Sequence, residues 1–299
     1  MRKIHLLALP LLIVLTACYS VERTPVIRLS KDDIREVTER SAEDELMAPV
    51  SYENLQQWRR GKPFRPVLER ASMLFPLSGE PLGFRTLYFE GVDSALLPDG
   101  HQRLTLLFRD SVGNRFDYEH QGENTRGLNS ASVPMLVDMD VVNRADSLLR
   151  GRSLWPRNAV WLDPTALTPV KAQRFVEVKA DSVVAGNGYF PCRLLFTDAT
   201  GRRGCVLFDP SPSSSRSFSS QFFISNPRDR YRQITDERWA EVCAGRISAG
   251  MTKEEARLSL GAPRNVVTEP DYSKLIELWS YSDGVLLRFE DGILVSFRK

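Results

Sequence analysis

Leu104-Thr105-Leu106-Leu107-Phe108-Arg109-Asp110-Ser111-Val112-Gly113 and, further on, Leu194-Leu195-Phe196-Thr197-Asp198-Ala199-Thr200-Gly201 decide how this chain reads. Each stretch runs an apolar strand into an Asp-x-x-Gly turn that leads to a second strand. Phe108, Asp110 and Gly113 recur as Phe196, Asp198 and Gly201, 88 residues later in every case. Asp93-Ser94 and Gly100 recur at the same offset as Asp181-Ser182 and Gly188, and Gly61-Lys62 returns as Gly151-Arg152 with a shift of two. So constant an offset predicts a tandem duplication of a unit of about 90 residues. The strands are short, turn-bounded and rich in Val, Leu, Phe and Tyr, which predicts a small antiparallel barrel or sandwich in each copy. The shared Asp and Gly have a structural role at the turn: the carboxylate holds the loop and glycine supplies positive φ. The loops that differ between the copies, His120–Ser132 and the serine-rich Ser211–Ser220, are the better candidates for partner contact.

Beyond the repeats, from Ile234, the pattern changes to two helices and three strands. Thr235 with Asp236 and Glu237 suits a helix start, and Trp239, Val242 and Cys243 mark one face. Thr252 and Glu255 stand at the spacing of a capping box, Gly261 suits the C-terminal cap, and Pro263 blocks continuation. Strands are expected over 275–281, 285–289 and 293–297, joined by Asp283-Gly284 and Asp291-Gly292, a strong hairpin signal. The expected fold is therefore mainly β with a small α+β module, the two tandem β repeats lying at 51–145 and 146–233 and the module at 234–299.

Gly250-x-Thr252-x-x-Glu255, Leu260-Gly261-x-Pro263, Trp279-x-Tyr281 and Leu287-x-Phe289-x-x-Gly292-x-Leu294 together resemble the BamE family, also called SmpA/OmlA. The resemblance covers residues 235–299 only. It implies a two-helix, three-strand fold and an outer-membrane lipoprotein that supports the folding of β-barrel proteins from the periplasm. In that family the module follows closely on the lipid anchor, whereas here about 215 residues intervene. Trp279 and Tyr281 are the candidate partner-binding pair, since an exposed aromatic pair anchors partners well. Core packing is the competing reading of both.

The first residues carry Arg2 and Lys3, an apolar run from Ile4 to Leu15, and then Thr16-Ala17-Cys18. This is the order of a secretory signal, and a run of about a dozen residues falls short of the roughly 20 that span a bilayer. Leu15-Thr16-Ala17-Cys18 resembles the lipobox of bacterial lipoproteins, which makes 1–17 a signal peptide, Cys18 the lipidated residue and 18–50 a tether with a helix near Asp32–Met47. Tyr19, not Asp, follows Cys18, which under the proteobacterial sorting rule favours the outer membrane. Loss of the signal removes two cations, and the mature chain is then formally neutral, against a nucleic-acid partner.

No nucleophile elbow, phosphate loop, dinucleotide fingerprint or zinc spacing occurs. The reading is therefore a non-catalytic lipoprotein with no cofactor, no metal and no catalytic residue, anchored in the membrane through acylated Cys18 and binding another envelope protein. A cell-wall or extracellular glycan or peptide as the ligand is the alternative. Cys192, Cys205 and Cys243 are expected as buried small hydrophobes, because a turn near Thr200 places Cys192 opposite Phe208 and not Cys205.

Overall fold

The computed structural model describes residues 40–298 apart from 68–70, 72–73, 76–81, 99–101, 121–126 and 272. Cys18, the signal segment, the first half of the expected first helix, Gly100 and His101 lie outside the described residues, and the second half of that helix forms over Ala42–Met47. The chain is mainly β, with several sheets, one of them a curled half-barrel.

The first sheet has the order β4-β3-β2-β1-β5. Its strands are β1 (Pro63–Pro66), β2 (Leu87–Leu96), β3 (Gln102–Arg109), β4 (Arg115–His120) and β5 (Leu136–Asp138). Period-two alternation makes the core here: Leu104, Leu106 and Phe108 of β3 point inward, while Arg103 and Arg109 face water. Phe108 is fully buried and takes Phe64 at 5.5 Å, Phe89 at 5.9 Å and Phe75 at 6.2 Å against its ring, all edge-on.

The second sheet reads β12-β6-β9-β10-β11-β7-β8. It comprises β6 (Ser153–Pro156), β7 (Val160–Leu162), β8 (Pro169–Lys171), β9 (Val178–Ala185), β10 (Cys192–Asp198), β11 (Arg203–Phe208) and β12 (Phe222–Phe223). Five of its strands repeat the order of the first sheet, β12-β6-β9-β10-β11 standing for β5-β1-β2-β3-β4. The hydrogen bonds match as well. Gly61 N–H donates to Phe89 O and Phe89 N–H to Lys62 O; Gly151 N–H donates to Ala180 O and Ala180 N–H to Arg152 O. In the turns, Asp110 Oδ1 accepts from the Val112 and Asn114 N–H groups, and Asp198 Oδ1 from those of Thr200 and Arg202. Gly113 and Gly201 supply φ of 101° and 83°.

The offset is not constant, however. Leu107 faces Gly91 and Leu195 faces Ser182, so the second strand of each meander aligns at 91 residues, against 88 for the third. Asp93-Ser94 and Asp181-Ser182 consequently occupy different register positions: Asp181 sits at a bulge, whereas Asp93 pairs with Thr105. Each meander has a bulge beside its phenylalanine, between Phe89 and Gly91 in one and opposite Leu195/Phe196 in the other.

The Met139–Leu149 helix joins the two sheets and runs through residues 145 and 146, the expected domain boundary. Asp138 caps it, accepting from the Asp140 and Val141 N–H groups. Its Val141, Val142, Ala145 and Leu149 pack with Val178, Val183 and Leu194 beneath the second sheet.

A third sheet, β13 (Asn265–Asp271), β14 (Lys274–Ser280), β15 (Leu286–Glu290) and β16 (Ile293–Arg298), forms a four-stranded antiparallel meander. Three strands were expected. β13 carries Pro270, which cannot donate to a ladder, and it stands at the sheet's edge, where that loss is tolerated. Both expected helices form. In Asp236–Cys243 Thr235 Oγ1 accepts from Arg238 N–H at 3.3 Å, and in Lys253–Leu260 Thr252 and Glu255 make the reciprocal capping box.

Candidate functional site

The C-terminal module has a packed inner face and a bare outer one. Inward, the rings of Trp279 and Phe289 pack at a tilt of 48° with centroids 4.6 Å apart, joined by Leu287 and Leu294 and covered by Val242, Met251 and Ala256 from the helices and their connection. Trp279 is 2% exposed, and its Nε1–H donates to Glu277 Oε2 at 3.1 Å. Tyr281 lies half-buried at the end of the strand, its hydroxyl donating to Gly261 O at 3.2 Å. Of the two readings of this pair, core packing fits Trp279, which strand alternation turns toward the helices, while Tyr281 stays partly open at the strand end.

What alternation leaves outside was not singled out in the sequence. Val267, Leu278 and Leu286 are 42%, 38% and 47% exposed. Val267 pairs with Leu278 across β13 and β14, and Leu286 lies on the next row of β15. With Arg288, Ser296 and Arg298 they line a shallow groove of about 390 Å³. Such a cluster on a folded surface marks a contact site more often than scattered single residues do. The signal was present in the sequence as apolar residues on both faces of the predicted strands, which fits a sheet covered on both sides.

Opposite the groove, where the helices meet the β6–β7 region, lies a larger cavity of about 910 Å³. Arg157, Arg174 and Arg257 line it, together with Phe175, Phe223 and Trp279. Arg157 sits over Phe223, its guanidinium carbon 3.5 Å from the ring centroid, and its Nε–H donates to Phe222 O. Arg174 donates from Nη1 to Leu258 O at 3.0 Å, while its buried Nε has no partner among the described residues. Burial lowers the pKa of both arginines. Lys253, also on the wall, is neutralised by Glu277 Oε1 at 2.7 Å.

Cys192 lies opposite Phe208, and Cys192, Cys205 and Cys243 are all unpaired. Burial pushes each thiol up, Cys243 to about 11, which holds them protonated at neutral pH. His120 ends β4 with its ring 6.5 Å from that of Tyr118. Among the described residues no helix is long and apolar enough to cross a membrane, and no cluster of three His, Cys, Asp or Glu side chains is placed to hold a metal. No family model matches the chain, nor does any curated protein or solved structure. The BamE resemblance thus stands on the motif residues alone.

Proposed function

We propose that this chain is a lipid-anchored lipoprotein of the bacterial envelope, held by acylated Cys18 in the outer membrane and facing the periplasm. It acts as a scaffold or assembly factor through protein–protein contacts. The observation that carries this reading is the outer face of the C-terminal meander, where Val267, Leu278 and Leu286 stay open to solvent although the opposite face of the same sheet is packed. The motif likeness to BamE gives the partner its class, the machinery that folds β-barrel proteins. A five-stranded sheet whose strand order recurs in five strands of the seven-stranded sheet, with matching hydrogen bonds, supports a tandem duplication that spaces the module from the membrane.

The test uses the full lipoprotein in detergent-solubilised envelopes. Charges placed on the groove, Leu278→Lys with Leu286→Lys, are expected to abolish recovery of β-barrel assembly proteins while leaving the thermal transition within a few degrees of the parent. Truncation before Ile234 would be a poorer probe, because Phe175 and Phe223 of the preceding part belong to the module's core. Equal recovery from the charged variant and the parent sinks the reading, and cosedimentation with purified peptidoglycan alone would turn it to the wall-binding alternative.

A further inference from the structure

We infer that the 910 Å³ cavity between the second sheet and the C-terminal module binds a small amphiphile made of an oxyanion and an apolar body. Each guanidinium carries five N–H donors and no acceptor. Among the described residues, Arg157 and Arg174 each use one of theirs, both on backbone carbonyls, and the Arg257 guanidinium makes no hydrogen bond or ion pair. None of the three meets a carboxylate within ion-pair distance, whereas Lys253 on the same wall is matched by Glu277. Arg157 and Arg174 are half-buried and Arg257 is exposed; a cation withdrawn from water is costly unless paired, and the unspent donors beside one cavity leave room for an anion that supplies the missing acceptors. Planar, bidentate geometry suits a carboxylate or a phosphate monoester.

Part of the remaining wall is apolar, although Glu254 and the Lys253–Glu277 pair also line it. Phe175 and Phe223, 5.8 Å apart between centroids, adjoin Leu258, Leu260 and Val266, and this is where the hydrocarbon part of the ligand goes. Arg257 stands at the mouth, exposed, its guanidinium carbon 5.1 Å from the Trp279 centroid. The volume lies inside the roughly 300–1,000 Å³ range of small-molecule sites. This site is separate from the outer groove and does not depend on a protein partner.

The experiment is a titration of the full mature chain, read by tryptophan fluorescence, since Trp279 lines the cavity. The probes are decanoate, decyl phosphate, decanol and inorganic phosphate. Saturable binding of decanoate or decyl phosphate is expected, with decanol at least about tenfold weaker, the loss that follows from removing a charge-assisted hydrogen bond; which of the two acids binds tighter identifies the head group. Arg257→Gln, at an exposed position, is expected to weaken binding about tenfold with an unchanged melting temperature, and Arg257→Lys to restore part of it. Arg157→Gln, at a half-buried position of the wall, is expected to weaken binding as well, and Leu278→Lys on the outer groove leaves binding as it was. Equal binding of decanol and decanoate, indifference to both arginine variants, binding of inorganic phosphate as tight as that of the amphiphiles, or no binding of either acid overturns the assignment.

Discussion

A single lysine holds the first sheet to the helix beyond it. Lys62 has a fully buried side chain, with Nζ 2.9 Å from Glu53 Oε2, 2.9 Å from Asp138 Oδ2 and 3.3 Å from Asp140 Oδ2. Burial alone would lower its pKa, but the three carboxylates outweigh that and raise it. For Glu53, partial burial pushes upward, and the hydrogen bonds from Lys62 and Arg144 prevail and hold it below the usual 4.5. A carboxylate with a depressed folded pKa contributes stability that is complete above its unfolded value and fades as pH falls through the folded one. Glu53→Gln should therefore unfold with a flatter pH dependence below about 4.5 than the parent, as read from urea midpoints. The lysine's share is lost only in strong alkali. Lys62→Ala strands the buried Asp138 carboxylate, and its expected cost is about 3–5 kcal/mol. A cost under 1 kcal/mol at neutral pH would show that the cluster contributes little.

At the scale of elements, the end of the chain was the most legible. Thr252, Glu255 and Gly261 mark the Lys253–Leu260 helix by local chemistry, and Gly261 takes a φ of 89° at its end. Thr252→Ala should cost about 1 kcal/mol, measured by urea unfolding, and Thr252→Ser should recover most of it. The turns Asp110–Gly113 and Asp198–Gly201 were legible for the same reason, since the side chain that makes the turn is the one that announces it. β13 was hidden, because Pro270 reads as a breaker and an edge strand tolerates it. The wall of the large cavity was hidden more deeply. Arg157 and Arg174 flank the β7–β8 hairpin while Arg257 comes from a helix more than 80 residues on, and no spacing rule links side chains that only the fold brings together. Trp279 and Tyr281 were visible as aromatics on one strand face, but which face turns inward depends on where the helices land.

For the whole molecule, Phe108, Asp110 and Gly113 and their counterparts made the two similar turns readable, while the register of the strands around them was not. The offset drifts from 90 to 91 to 88 residues through each meander, since loops absorb insertions that strands cannot. Asp138 gives that architecture a dynamic consequence. The same residue closes the first sheet opposite Phe64, caps the Met139–Leu149 helix and meets Lys62, and the helix it caps fills the core beneath the second sheet. Neither half can melt while the other stays intact without uncovering that helix or abandoning a buried charge. Duplicated units joined by a slack linker would denature as separate beads. These two should lose structure in one shared calorimetric endotherm, with amides of β3 and β10 exchanging their hydrogens at a common rate.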